Sequence, residues 1–320
     1  MKTRIITVLV IFFSLHSCKN ETGVSDDISR IPLNLTVLRF DREFAEAKPG
    51  DIPKLKQKFP YLFPKQYSDS VWIAKLKDSL QNEIFSEVNG TFGSFDTETA
   101  DLELLFKHVL YYFPNYQVPE VITVISDVDY SNRVILTDTL LLIGLDNYLG
   151  KDHKFYRGIE HYIAAGLDKT YLISDVAGAF GKTTLGFPSD GTFLAQMIYY
   201  GKELYLKDQL IPLATDAQKI VYTPEELEWA RANEEQIWRY FIERELLYST
   251  DNMLAPRFLD PAPFSKFRLE LDNESPGRLG RYMGWQIVRA FMNNNDVKLI
   301  QLLGLSSDEI FKKSNYKPKK

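Results

Sequence analysis

Carboxylates are the residues in this chain best placed to do chemistry. Glu234-Glu235 and Glu243-Arg244-Glu245 fall within one helical stretch, and Asp272-Asn273-Glu274-Ser275-Pro276-Gly277-Arg278 is the densest polar cluster beside a structured element. Two carboxylates flanking a scissile bond can act as acid and base in hydrolysis. The same residues also suit a solvated helix face. Arg239 and Glu243 are four apart, an exposed pairing worth only ~0.3 kcal/mol. Asp272 and Glu274 precede a glycine-rich helix start, where the positive end of the macrodipole favours them. Gly277, Gly280 and Gly284 would let a second backbone approach closely. The reading is therefore a candidate binding surface of Asp272, Asn273, Glu274 and Arg278 for a protein partner or small ligand. No catalytic residue is assigned.

Other chemistries fail on residue type or spacing. The four histidines are His16, His108, His153 and His161, and no two are four apart on one helical face. The His-Glu-x-x-His zinc site is excluded on that count. These imidazoles are expected at the surface or partly satisfied. No Gly-x-Ser-x-Gly elbow occurs. Gly178-Ala179-Phe180-Gly181-Lys182-Thr183 ends like a phosphate loop, but only two residues separate its glycines and Val176 stands where the first glycine is needed. Such a loop is too short to wrap a phosphate with successive amides, so a turn between helices is expected there. Neither a metal nor a cofactor is implied.

The elements that would position these groups follow from periodicity. Alternation over 33–40 suits a strand, and the β-branched run 121–125 suits another. Segments 133–137 and 140–144 flank Asp138-Thr139 as a hairpin, so a small sheet is expected in the first half. Apolar steps of three and four predict helices over 69–88, 97–113, 193–210, 277–292, 297–303 and 307–313. Thr223 before Pro224-Glu225-Glu226 opens a helix expected to run to about 248. Three prolines make 251–266 an ordered loop. The expected class is α+β, predominantly helical, with a small mixed sheet in the first half. One globular domain is expected over 32–320, with the sheet in about 32–150 and a helical half in about 151–316.

The start of the chain is different in kind. Lys2 and Arg4 precede an apolar stretch over 5–15 that is too short to span a bilayer, as in a signal peptide. Leu15-His16-Ser17-Cys18 resembles the lipobox of bacterial lipoproteins. That resemblance implies cleavage of 1–17 and a diacylated Cys18 (palmitate) as the new first residue and membrane anchor. Residues 18–31 would be the tether. Cys18 is the only cysteine, so the folded body must hold without disulfides. Losing 1–17 takes the 38 basic side chains to 36 against 43 acidic, a net of −7. That balance gives no reason to expect nucleic acid or an anionic membrane surface as partner.

Longer motifs carry a second resemblance. Phe40-Asp41-Arg42, then Gly144-Leu145-Asp146-Asn147-Tyr148-Leu149-Gly150, Gln196 to Lys202, Trp238 to Glu243, Asp272 to Arg278 and Gly284-Trp285-Gln286-Ile287-Val288 follow in order. Together they resemble the gliding-motility lipoprotein GldB family of Bacteroidetes across essentially the whole chain. The resemblance implies a cell-envelope lipoprotein required for gliding, working with other gliding and secretion proteins and without established catalysis. Lys19 after the lipid cysteine favours the outer membrane, facing the periplasm. A more distant likeness runs to zinc proteases of gluzincin-like fold, implying a zincin-like architecture with Leu194, Ala195 and Ile198 in the general region of the ligands and a downstream Glu such as Glu243 corresponding to a third ligand. The chain would then be a scaffold without its metal, serving binding. The alternatives are a hydrolase using Glu243, Glu245, Asp272 or Glu274, and a glycan- or small-molecule-binding lipoprotein.

Overall fold

The computed structural model describes residues 25–269 and 272–319. The expected signal peptide over 1–17, Cys18 and the first part of the expected tether lie outside the described residues.

The first half is built around a four-stranded mixed sheet. Its strands are β1 (Val37–Arg39), β2 (Glu120–Val124), β3 (Val134–Leu136) and β4 (Leu140–Gly144), in the order β1-β2-β4-β3. β2 runs parallel to β1 and β4, while β3 and β4 form the expected antiparallel hairpin. The helices here are α1 (Asp26–Ser29), α2 (Phe40–Ala45), α3 (Ile52–Lys58), α4 (Asp69–Leu76), α5 (Ser79–Phe92) and α6 (Asp96–Tyr112). Strand alternation divides the apolar side chains between two cores. Val121, Leu141 and Ile143 pack toward Leu105, Phe106 and Val109. Ile122 faces Phe44, Ile52, Phe59 and Phe63 on the other side. The helix expected over 69–88 is two helices, because Asp78 accepts from the amides of Leu80 and Gln81 (2.8 and 3.2 Å) and starts α5 afresh. Helix α1 lies within the expected tether segment 18–31, and its Ile28 is buried.

The second half is helical: α7 (His161–Ala164), α8 (Leu172–Thr184), α9 (Phe193–Leu210), α10 (Asp216–Ile220), α11 (Pro224–Ala232), α12 (Glu234–Glu243), α13 (Leu254–Phe258), α14 (Leu279–Asn294), α15 (Leu299–Gly304) and α16 (Ser307–Ser314). Gly178 to Thr183 is no turn; it lies inside α8. The helix expected over 223–248 breaks at Asn233, whose side chain donates to the Trp229 carbonyl at 2.8 Å. Pro256 sits within the short α13 rather than in a loop.

Helices α9 and α14 form the centre of this half, in backbone-to-backbone contact. A Cβ on Gly201 would lie 2.5 Å from the Gly284 carbonyl carbon and 2.9 Å from the Trp285 nitrogen. One on Gly284 would lie 2.5 Å from the Met197 carbonyl carbon. The surrounding core includes Met197, Ile198, Met283, Trp285 and Val288, all at most 1% exposed. Gly280 meets Phe258 and Leu259 in the same way, and Gly277 meets the Ala262 carbonyl. Small residues thus allow close approach at three successive places, as their spacing suggests.

Candidate functional site

Two clefts gather polar side chains. The first is a groove of about 390 Å³ with Trp229, Tyr240, Phe267 and Leu269 among its walls and Glu243, Asp272 and Glu274 along it. Asp272 is held by the described backbone around it. Its carboxylate accepts from the amides of Arg268 (2.7 Å) and Leu269 (3.1 Å). The Ser275 hydroxyl donates to the Asp272 carbonyl at 2.7 Å, and the Ser265 hydroxyl accepts from the Leu279 amide at 3.2 Å, next to the start of α14. Asp272 is therefore occupied in shaping the chain, while Asn273 and Glu274 are exposed. Glu245 is not among the residues lining this groove.

Arg278 belongs elsewhere. It adopts φ +61° just before α14, donates to the Val221 carbonyl at 2.7 Å and lies over the Tyr222 ring at 5.2 Å. Pro276 and Gly277 thus precede the helix rather than forming its first turn. The four residues read together from sequence divide between two places, with Asp272 and Glu274 on the groove and Arg278 on a second cleft.

That second cleft is a cavity of about 270 Å³ between α8, α9 and the start of α14. Arg133, Lys182, Lys207, Lys219, Arg278 and Arg281 line it together with Asp175 and Glu203. Two of the cations are neutralised. Arg133 makes a two-pronged bridge to Asp175 (2.6 and 3.0 Å), and Lys219 pairs with Asp208 at 3.0 Å. Lys207, 5% exposed, donates to the Ser174 hydroxyl and the Lys219 carbonyl, both at 3.0 Å. Burial pushes its ammonium below the ordinary lysine range; Glu203 and Asp175 oppose that shift, and Arg278 and Arg281 reinforce it. Burial likewise pushes the Arg278 guanidinium down, with Arg281 adding repulsion. Arg281 donates to the Leu259 carbonyl and stacks 3.8 Å from the Tyr200 ring centre. Glu203 is 8% exposed, and one of its oxygens has no hydrogen-bond partner among the described residues.

The Gly144 to Gly150 motif buttresses one wall of this cavity. The Asp146 carboxylate is fully buried and accepts from the Ser126 and Val128 amides (2.9 and 2.6 Å), fixing a loop in which Asp127 and Val128 take positive φ. The Tyr148 hydroxyl donates to Asp175 at 2.9 Å, and the Tyr156 hydroxyl to the Asp146 carbonyl at 2.7 Å. The Phe40-Asp41-Arg42 motif has a similar role at the sheet. Asp41 takes two bonds from Arg39 (2.9 and 2.7 Å) and one from Thr123 at 2.5 Å.

The positions suggested by the zincin likeness are apolar and buried: Leu194, Ala195 and Ile198 are each 1% exposed. Glu243 is exposed on α12. Among the described residues no group of three or more His, Cys, Asp or Glu could hold a metal ion. His108 corrects the expectation of surface imidazoles. It is 3% exposed, and burial lowers its pKa.

Sequence reasoning missed the charged cavity because its groups come from distant segments. The one local signal was Glu203 and Lys207, one turn apart on a helix whose neighbours Leu204 and Leu206 are apolar.

The described body is a mostly helical α+β fold with two polar clefts, and no helix among the described residues is long and apolar enough to cross a membrane. The chain belongs to the family of the gliding motility protein GldB, whose family model matches residues 21–318. This is a gliding-motility-related lipoprotein family, which points to the cell envelope. Neither the curated proteins nor the solved structures include a significant match.

Proposed function

We propose that this chain is a non-enzymatic component of the gliding apparatus, held to the envelope by lipid on Cys18 and acting through contact with other gliding and secretion proteins. The observation that carries the reading is the family match over residues 21–318. The anchor is proposed to be diacylated after removal of 1–17, with one globular body over 32–320 reaching into the periplasm from the outer membrane. The burial of Ile28 places the start of the packed body inside the proposed tether segment 18–31.

The contact surface is proposed to be the groove beside Asp272, Asn273 and Glu274. Its aromatic wall and acidic edge suit a protein segment that alternates apolar and basic side chains. Arg239, the cation of this groove among the described residues, is already paired with Glu235 at 3.1 Å, so the negative character persists. A photoreactive residue at Asn273 in living cells should capture an envelope protein of the gliding or secretion machinery. A clean deletion should stop spreading, and Cys18→Ala should mislocalise the protein. Normal spreading by the deletion strain refutes the proposal.

The hydrolase reading draws on Glu243 and Glu274 sharing that groove. A Glu243→Gln, Glu274→Gln double variant separates the two readings, since full gliding without either ionisable group removes hydrolysis.

A further inference from the structure

We infer that the charged cavity between α8, α9 and α14 binds a phosphate ester carrying a free hydroxyl, with the phosphoryl group held by Lys207, Arg278, Arg281 and Lys182 and the hydroxyl donating to Glu203. The inference is independent of the groove and of any protein partner.

Charge accounting carries it. After the pairing of Arg133 with Asp175 and of Lys219 with Asp208, no carboxylate among the described residues lies within ion-pair distance of Lys182, Lys207, Arg278 or Arg281. Their polar partners are neutral: a hydroxyl and carbonyl for Lys207, carbonyls and aromatic rings for the two arginines. Arg278 repels both Arg281 and Lys207 across the cavity. Such an arrangement is costly without an anion and favourable with one. Glu226 also attracts Arg278, from beyond ion-pair distance, and a dianionic phosphate monoester would cancel the excess left after it and Glu203. Arginine suits it through paired N–H donors, and a buried lysine suits it as a point charge.

Glu203 sets the second half of the ligand. A bare inorganic anion would only be repelled by it. The Glu203 carboxylate lines the cavity with no hydrogen-bond partner on its buried oxygen among the described residues, and a donor on the ligand would give the group one. The glycines of α8 shape the pocket for this group. A Cβ at Gly181 would lie 3.1 Å from the Glu203 Cγ, and one at Gly178 would lie 3.3 Å from its Oε1 and 3.4 Å from the Lys207 Nζ. The Gly178 to Thr183 segment therefore does not wrap a phosphate with its backbone. Its bare helix face makes room for the side chains that would grip one. At about 270 Å³ the space is near the lower end of small-molecule sites, ~300–1,000 Å³. It suits a polyol phosphate of a few carbons, either free or as the exposed head of a lipid.

The test uses the full-length chain in an uncharged detergent at near-physiological salt, titrated calorimetrically with inorganic phosphate, glycerol 3-phosphate and micelles doped with phosphatidylglycerol. Glycerol 3-phosphate should bind roughly tenfold more tightly than inorganic phosphate. Saturation by the doped micelles, with free glycerol 3-phosphate failing to compete, assigns the headgroup as the source; competition assigns the free ester. Arg278→Met should weaken binding about tenfold or more. Lys182→Ala, at an exposed position that cannot unsettle the core, should weaken it about threefold. Glu203→Gln should erase the preference for glycerol 3-phosphate over phosphate. The inference is overturned if no phosphate probe binds below about 10 mM, if Lys182→Ala binds as tightly as wild type, or if Glu203→Gln keeps the full preference.

Discussion

Replacing Gly284 by alanine adds one methyl group where two helix backbones touch, and it should be among the most damaging single changes in the molecule. The new Cβ would lie 2.5 Å from the Met197 carbonyl carbon and 3.2 Å from its Cα, against ordinary contacts of 3.4–4 Å. Both obstacles are backbone, so no rotamer change relieves them, and α9 and α14 must separate by about 1 Å. A gap of ~0.5–1 Å forfeits a quarter to a half of each dispersion contact across the interface. Overpacking in a tight core typically costs ~1–3 kcal/mol and sometimes more. Alanine returns ~1 kcal/mol in helix propensity. The expected net loss is about 2–4 kcal/mol, a large part of a typical ~5–15 kcal/mol of total stability. Gly90→Ala is the matched control. It also lies within a helix, but its Cβ would meet nothing within 4 Å, so it should stabilise by ~0.5–1 kcal/mol. Tryptophan fluorescence in a urea series reads both, with the fully buried Trp285 reporting directly on this interface. A Gly284→Ala midpoint equal to or above wild type would refute the packing argument.

Two further changes test buried charge. Arg289 bridges both oxygens of Asp208 (2.7 Å each) and both of Asp216 (2.9 and 2.7 Å); Arg289→Met should cost ~1.5–3 kcal/mol through these charged hydrogen bonds, with Lys219 and Trp285 still on Asp208 and Arg231 still on Asp216. Hydrogen bonds from Arg289 lead in holding Asp216 below its ordinary pKa of 3.8. The wild-type advantage in unfolding midpoint should therefore be full above that value and shrink as pH falls through the lower folded one; a gap unchanged in acid refutes the assignment. Lys202 donates to the Leu303 and Leu305 carbonyls (3.1 and 2.7 Å), and burial pushes its pKa down to about 8 from 10.5. The folded chain then holds fewer protons than the unfolded one between those values, so wild type should gain on Lys202→Met by up to about 1 kcal/mol per pH unit there. A flat difference across the same window would show that the ammonium is not desolvated.

The sheet was readable because its signals are local. β-Branched runs at Val121 and Val134 and the Asp138-Thr139 turn each lie within a few residues. The helix interruptions at Asp78 and Asn233 were not readable, since apolar steps of three and four continue through a break that a single side chain imposes. Gly178 and Gly181 looked like turn residues, yet they are the bare face of α8 against Glu203. The candidate surface was legible as a polar cluster next to a helix start, but not its division. Arg278, in a left-handed conformation at the end of the loop, reaches Val221 and Tyr222 instead of joining Asp272. The charged cavity draws on residues from Arg133 to Arg281, and no spacing rule links groups that far apart.

The parallel pairing of Val37 with Val121 bears on how the chain acquires its shape. Ribosomes release the N-terminal end first, yet β1 cannot close its ladder until about 80 further residues have emerged, a high-contact-order step. Throughout that interval Phe44, Phe59 and Phe63 lack the Ile122 side of their core. The nascent protein therefore carries an aromatic surface that invites chaperone holding, and truncations ending before residue 120 should be the aggregation-prone ones.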